Sequence, residues 1–143
     1  MARNEIRIEA PPEAVFAVLA DPERYEDWVV GTSETSAAAG RWPEEGSSLR
    51  YRVGVGPLTV SDVTEVVESD PPSRLLLRAR MHRLGETAIA LELEPDGSGT
   101  RVVMTEEPVE GLVDAVHNRV SDAVLSKRNV LTLSRLRTLA EGD

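Results

Sequence analysis

The stretch that decides the fold is Ile6-Arg-Ile-Glu-Ala-Pro-Pro-Glu-Ala-Val-Phe-Ala-Val-Leu-Ala-Asp-Pro-Glu-Arg-Tyr-Glu-Asp-Trp28. Its first part alternates Ile6 and Ile8 with charged residues, which is the period-2 pattern of a half-buried strand. Pro11 and Pro12 end that strand. A proline is tolerated in the first turn of a helix, because its missing N–H has no partner there anyway. The stretch therefore predicts a strand followed directly by a helix.

The same stretch predicts two short helices rather than one long helix. Asp21 precedes Pro22, which disfavours the α conformation at Asp21, and aspartate is also a good N-cap. One helix should therefore end near Asp21 and another should begin there. The apolar residues of the two helices are Val15, Val18 and Leu19 in the first and Tyr25, Trp28 and Val29 in the second.

After Trp28 the chain is divided by turn-forming clusters of glycine, proline and aspartate. The segments between them are rich in β-forming residues, and the short turns favour an antiparallel meander. Leu49, Tyr51 and Val53 alternate with arginines, so one face of the sheet should be apolar and the other solvated. The predicted strands cover 32–38, 47–53, 58–69, 74–83, 86–94 and 100–108.

A long amphipathic helix is predicted from Gly111 to about Ala140, since this segment contains no proline and no internal glycine. Lys127 falls within the predicted apolar stripe, whereas Leu125, Leu133 and Leu136 fall on the nominally polar side. The stripe contains Leu112, Val113, Val116, Val120, Ala123, Val124, Val130 and Leu131. The opposite face, with Asp114, Asn118, Asp122, Ser126 and Asn129, is expected to be solvated.

Length and composition favour one domain over residues 1–143 with a substantial core. The net charge of −9 disfavours nonspecific attraction to nucleic acid. The chain has no cysteine and only two histidines, so neither a metal site nor any other cofactor is expected. No run of apolar residues reaches the length of about 18 that a membrane span needs, so stable membrane insertion is not expected. We expect a cytoplasmic location.

The sequence of residues 10–28 and the order of the predicted elements resemble those of the polyketide cyclase/dehydrase and START/Bet v 1-like (SRPBCC) superfamily. This resemblance implies an α+β helix-grip fold. A curved seven-stranded antiparallel sheet would wrap around a long C-terminal helix, with two short helices after strand 1. The apolar sheet face and the helix must bury each other, and a curved sheet against a straight helix leaves a cavity.

Members of the superfamily include carriers, hormone binders and cyclases, so function must be inferred from the site. The leading hypothesis is a protein that binds or carries a small hydrophobic molecule, such as a lipid, a polyketide or an isoprenoid. A polyketide cyclase or dehydratase is the alternative, and a protein-interaction module or homodimer is a further one. Leu133, Leu136 and Leu139 motivate the homodimer, although they could instead pack inside the chain.

Cavity-lining residues are expected on the apolar strand face and on the helix stripe, while catalytic residues stay unknown. The candidates are Trp28, Tyr51, Val60, Leu77, Met81, Met104, Val113, Val116, His117, Val120, Val124 and Lys127. Among them Tyr51 offers a hydroxyl, His117 an imidazole that could act as a base, and Lys127 a cation.

Several other charged residues could have a functional role or a purely structural one. Asp62 and Glu106 are carboxylates among apolar neighbours and could act as acids or bases. The arginines and the histidine on the polar strand sides could bind an anion, but the solvent-facing interpretation is favoured. These residues are Arg50, Arg52, Arg78, Arg80 and His82.

Overall fold

A computed structural model gives the structure of the protein and describes residues 2–55, 57–80, 86–110 and 119–142. Side chains are described for the same residues apart from 55, 110 and 119–125. In chain order the elements are β1 (Ala2–Ile8), α1 (Pro12–Leu19), a 3₁₀ turn (Pro22–Arg24), α2 (Tyr25–Trp28), β2 (Thr32–Ala39), β3 (Ser48–Val55), β4 (Leu58–Asp70), β5 (Arg74–Arg80), β6 (Glu86–Asp96), β7 (Gly99–Glu110) and α3 (Arg119–Gly142).

The seven strands form one antiparallel sheet in the order β1-β7-β6-β5-β4-β3-β2. The strands β2 to β7 form a meander, and β1 pairs with β7, with Ala2 opposite Glu106 and Ile8 opposite Thr100. The register shifts in the β2–β3, β4–β5 and β6–β7 pairs. Such bulges bend a strand and increase its twist. The predicted α+β class with a curved seven-stranded sheet and helix-grip architecture is confirmed.

The two short helices after β1 are also confirmed. In α1 the predicted residues Val15, Val18 and Leu19 are buried. An Asp21 carboxylate oxygen accepts a hydrogen bond of 2.9 Å from the Glu23 N–H and thereby caps the 3₁₀ turn that leads into α2. The buried residues of α2 are Tyr25 and Trp28.

Helix α3 presents a different face to the protein from the one predicted. Val130 and Leu131, which the prediction placed in the apolar stripe, are 56% and 47% exposed. The buried residues of the described part of the helix are Asn129, Thr132, Leu133, Leu136 and Ala140. Their spacing of three and four residues is that of a single helix face. The side predicted to be solvated is therefore the side that packs inside.

This orientation corrects the premise of the homodimer hypothesis. Leu133 and Leu136 are 1% and 0% exposed and belong to the main core cluster, while Leu139 is half-buried against it. Helix α3 packs against β1, α1 and α2 within one chain. Leu133 and Leu136 thus have intramolecular partners and offer no surface to a second copy.

Candidate ligand site at the polar end of the sheet

The concave face of the sheet changes from apolar to polar along its strands. One end carries aliphatic residues such as Ile8, Leu93 and Val102, each 3% exposed or less. At the other end five strands each contribute polar side chains. We call this set the polar end, and it consists of Asn4, Tyr51, Asp62, Thr64, Thr87 and Glu106. All except Asn4, which is half-buried, are less than 9% exposed.

The strand register places these residues together. Tyr51 lies opposite Asp62, and Thr64 and Thr87 both lie opposite Ala79. Glu106 lies opposite Ile89 on one side and Ala2 on the other. Side chains on one face of a strand are two residues apart, so the register rows continue across the sheet on the same face. Polar residues therefore cluster in a region that would otherwise be hydrophobic core.

Glu106 joins the sheet to α3. The Asn129 side-chain amide donates a hydrogen bond of 3.1 Å to one Glu106 carboxylate oxygen, and both residues are 1% exposed. An Arg128 guanidinium nitrogen lies 4.0 Å from the other carboxylate oxygen. Asn4 makes a second link by donating a 3.0 Å hydrogen bond to the Ser126 hydroxyl. Helix α3 is thus held against the polar end by polar contacts.

A hydroxyl cluster occupies the β3–β4 side of the polar end. The Tyr25 hydroxyl donates a 3.4 Å hydrogen bond to the Thr64 hydroxyl, which also contacts the Tyr51 hydroxyl closely. Burial raises the pKa of Tyr25 well above its usual 10.0, and the neighbouring Tyr51 raises it further. Burial also raises the pKa of Tyr51, and the nearby Asp62 charge acts in the same direction. Both phenols are therefore neutral hydrogen-bonding groups at physiological pH.

Beside these clusters is a small interior cavity, which we call the recess. Its volume is about 20 Å³, and it is lined by Tyr25, Trp28, Val29, Leu77, Ile89, Leu91, Met104, Arg128 and Thr132. A cavity of roughly 10–15 Å³ is already large enough for one water molecule. The recess can therefore accept one water or one polar atom of a ligand, but not the body of a ligand.

The indole N–H of Trp28 has no hydrogen-bond acceptor among the described residues, although Trp28 is only 2% exposed. Asn129 likewise has an unpaired buried carbonyl oxygen. A buried polar group without a partner costs about 1–3 kcal/mol. Unpaired groups in this position are typical of a site that awaits a ligand or an ordered water.

Several predicted site residues lie at this site. Trp28, Leu77 and Met104 line the recess, and the Tyr51 ring lies 5.3 Å from the ring of Tyr25. Two predicted residues lie elsewhere. Val60 is 38% exposed near the tip of the β3–β4 hairpin, and Lys127 is exposed on α3. Neither residue lines the recess, because a hairpin tip and the outer face of α3 both contact solvent.

The other predicted helix and hairpin residues cannot be compared with the structure. Met81, Val113, Val116 and His117 lie outside the described residues. Val120 and Val124 lie in α3, but their side chains are likewise outside the described part. Their role in a cavity stays a prediction.

Sequence reasoning missed several residues of the site. Ile89 and Leu91 alternate on β6 as Leu77 does on β5, so strand periodicity could have identified them. Arg128, Asn129 and Thr132 were missed because the helix was assigned the wrong inner face. Counting back from Leu133, Leu136 and Ala140 in steps of four, seven and eleven leads to Asn129 and would have shown the correct face.

The outer face of the sheet is solvated, and the solvent-facing interpretation was the one favoured for the arginines. Arg50, Arg78 and Arg80 are exposed and line a groove of about 410 Å³ together with Glu65 and Glu86. Glu86 lies 3.6 Å from Arg78 and 3.8 Å from Arg80. Opposite charges in contact with water indicate a solvated surface, where such pairs contribute little.

The described residues contain no group of three or more histidine, cysteine, aspartate or glutamate side chains that could hold a metal ion. Within the same described ranges no helix has both the length and the apolar character needed to span a membrane.

A model of the family described as polyketide cyclase/dehydrase and lipid transport matches residues 2–141. A helix gripped by a curved sheet, with a buried site between them, is the architecture that the resemblance implied. The chain belongs to this family. The family description covers both cyclase-type enzymes and lipid transport, so it establishes a ligand-binding or cyclase-type domain without naming a ligand.

Solved structures share the fold at low sequence identity. The protein TTHA0849 from Thermus thermophilus has a TM-score of 0.74 at 20% identity, covering 97% of this chain and 95% of its own. Ara h 8.0201 has a TM-score of 0.73 at 14% identity, covering 99% and 97%. DynU16, from the dynemicin biosynthetic locus, has a TM-score of 0.73 at 23% identity; this chain is 99% covered but spans only 48% of DynU16. No curated protein sequence matches the chain.

Proposed function

We propose that the protein, acting as a single domain over residues 1–143, binds or carries a small and largely hydrophobic molecule between the sheet and α3. The polar end supports this proposal most directly. Five strands bury polar side chains where aliphatic ones would give a more stable core. A fold that retains such groups, some of them unpaired, is typical of a binding site. Membership of a lipid transport and cyclase family supports the same class of ligand.

Native mass spectrometry of the purified chain, followed by organic extraction, tests this function. We expect a co-purified small molecule, or binding from a panel of fatty acids, isoprenoids and polycyclic aromatic polyketides. Failure of every compound in the panel to bind would contradict the proposal.

A matched pair of variants places the binding. Ile89 lines the recess, whereas Val63 is half-buried on the outer face of the same sheet. Ile89→Phe should weaken binding by roughly tenfold or more, which corresponds to about 1.4 kcal/mol, because the larger ring occupies the site. Val63→Phe should leave the affinity unchanged. Equal affinities in the two variants, at similar melting temperatures, would place the ligand elsewhere.

The second candidate function is a cyclase-type enzyme, and the buried Glu106 carboxylate favours it. The Asn129 hydrogen bond orients this carboxylate, and no hydrophobic core requires a carboxylate there. Glu106 could accept a proton from a carbon next to a ligand carbonyl. The C–H electron pair would then form an enolate, whose oxygen the neighbouring donors would stabilise. His117 and Lys127, the earlier candidates, lie outside the described residues and on the surface respectively.

Deuterium exchange of the acetophenone methyl protons in heavy water tests this step without a known substrate. The proton removed by Glu106 exchanges with solvent, and a deuteron returns to the carbon. We expect exchange faster than in buffer, reduced roughly a hundredfold in Glu106→Gln. Thr87→Ser, at the same end of the sheet, should keep the wild-type rate. Exchange no faster than in buffer would exclude this role for Glu106.

A further inference from the structure

Most of the polar groups that line the recess are hydrogen-bond donors. The Trp28 indole N–H is only a donor, and the Arg128 guanidinium carries only donors. The Thr132 hydroxyl accepts a 3.3 Å hydrogen bond from the Val30 N–H and also carries one donor proton, as every hydroxyl does. The fourth polar residue, Tyr25, donates its proton to Thr64, and its oxygen remains a weak acceptor. The recess therefore presents the unpaired Trp28 N–H, and no carboxylate is among its described lining residues.

The donors are held by the protein rather than free to turn away. The Trp28 ring packs edge-on against Tyr25, with ring centres 5.4 Å apart. Arg128 donates through Nε to the Val30 carbonyl at 3.4 Å, and its terminal nitrogen lies 4.0 Å from Glu106. Thr132 is 2% exposed on the inner face of α3. Donors that are already fixed in position can bind an acceptor atom of a ligand without the free-energy cost of ordering the site.

The unpaired Trp28 N–H needs an acceptor, and an oxygen atom of a ligand supplies one. A hydrocarbon supplies none, and an ammonium group would bring further donors beside the Arg128 guanidinium. Full anions are less suitable, since Glu106 lies beside Arg128 and the chain carries a net charge of −9. The best match is a neutral carbonyl oxygen, which is small enough for a volume of about 20 Å³.

We infer that the recess is a specificity subsite that selects ligands bearing a neutral carbonyl oxygen, with Trp28 as the principal donor and Arg128 and Thr132 beside it. This inference rests on the proposed function, because it concerns the same interior site. It adds that a bare hydrocarbon or an ammonium ligand binds less well than a ketone of the same shape.

Three compounds of nearly equal shape test the inference. Acetophenone accepts hydrogen bonds but donates none, and protonated 1-phenylethylamine donates hydrogen bonds but accepts none. Ethylbenzene neither accepts nor donates hydrogen bonds. We expect acetophenone to bind roughly fivefold to tenfold more tightly than ethylbenzene, the effect of one hydrogen bond. The ammonium compound should bind most weakly of the three. Trp28→Phe, which removes the N–H and retains an aromatic ring, should bring the ratio of ketone to hydrocarbon affinity close to one.

Indole N–H resonances of ¹⁵N-labelled wild-type protein give a readout that does not depend on a variant. The chain has only two tryptophans, and the Trp42 N–H is already bonded to the Leu19 carbonyl at 3.0 Å. Saturation with acetophenone should move the Trp28 resonance downfield and leave the Trp42 resonance in place. Trp42→Phe assigns the two signals and should retain the ketone preference.

The outcomes separate the subsite from the proposed function. If ethylbenzene binds and acetophenone is not preferred, or if the Trp28 resonance does not move, the subsite is wrong and the proposed function stands. If none of the three compounds binds and the wider panel also fails, the proposed function is wrong and the subsite with it.

Discussion

The two ends of the concave sheet face contribute differently to the protein. The apolar end carries leucines and valines that pack with α1 and with Leu133 and Leu136 of α3. Burial of each such side chain stabilises the fold by about 1.5–3 kcal/mol. The polar end buries Glu106, Asn129 and hydroxyl groups, whose hydrogen bonds do little more than offset their loss of water.

This difference supports the proposal that the apolar end serves stability and the polar end serves ligand recognition. One α3 face contacts both, with Leu133, Leu136 and Ala140 in the core cluster and Arg128 and Asn129 at the polar end. The helix is therefore anchored by its C-terminal turns, so a nearby site can keep unpaired groups without unfolding the protein. The following substitutions test this separation.

The largest effect is expected at the apolar end of α3. Leu136→Ala should lower the free energy of unfolding by about 2–5 kcal/mol, because it leaves a cavity around a fully buried position. Leu131→Ala, on the exposed side of the same helix, should change it by less than about 0.5 kcal/mol. Urea denaturation measures both. A larger loss of unfolding free energy in Leu131→Ala than in Leu136→Ala would support the helix orientation predicted from the sequence.

At the polar end we expect single substitutions to be costly and a paired one to be tolerated. Glu106→Met leaves the Asn129 amide without its acceptor, and Asn129→Leu leaves the carboxylate without its donor. Each should cost about 1–3 kcal/mol. The double variant should be close to wild type or more stable, since apolar replacement of both partners removes the unpaired group.

The same three variants should all lose ligand affinity. That combination, recovered stability with lost binding, would sharpen the contrast between the two ends. Additive losses of stability in the double variant would show that the polar pair contributes to stability as the leucines do.

Alkaline pH should destabilise the polar end selectively. In the unfolded chain Tyr25 and Tyr51 lose their protons near pH 10.0, whereas burial raises the pKa of both in the folded protein. Above that pH the unfolded state binds fewer protons, so stability falls as pH rises, and it is unaffected below it. The melting temperature should fall less steeply in Tyr51→Phe. An equally steep fall in that variant would exclude Tyr51 as a cause.

The smallest effect is expected outside both ends, at the exposed ion pairs. Arg101 lies 3.0 Å from both Glu5 and Glu94 on the solvated face. Arg101→Ala should leave the melting temperature nearly unchanged, because water and salt screen exposed pairs. Measurement at low and high salt should show the residual difference only at low salt. A loss comparable to that of Leu136→Ala would contradict the assignment of stability to the apolar end.

Local patterns predicted most of the fold. The prolines and Asp21 determine where the small helices begin and end, and residue alternation determines which strand face is buried. Those signals act over a few residues and need no distant partner. They also predicted Trp28, Tyr51, Leu77 and Met104 as cavity candidates, because each lies on the apolar side of its own element, and three of these residues line the recess.

Helix α3 marks the limit of that reasoning. Its sequence contains two competing apolar faces, and hydrophobic periodicity chose the one with Val130 and Leu131, both of which are exposed. The face was decided by distant partners: Glu106 on β7 for Asn129, Val30 for Thr132, and the core for Leu136. Hydrophobic periodicity within the helix sequence does not include contacts with residues so distant in the chain.

The sequence by itself determined the strands, the small helices and the likeness to a family, since these depend on neighbouring residues. Only the tertiary structure decided that polar residues from five strands meet at one end, and that Arg128 rather than Lys127 faces the site. The physical reason is that strand register and helix rotation minimise the free energy of the whole chain. A carboxylate or an indole N–H becomes significant only once its surroundings have removed it from water.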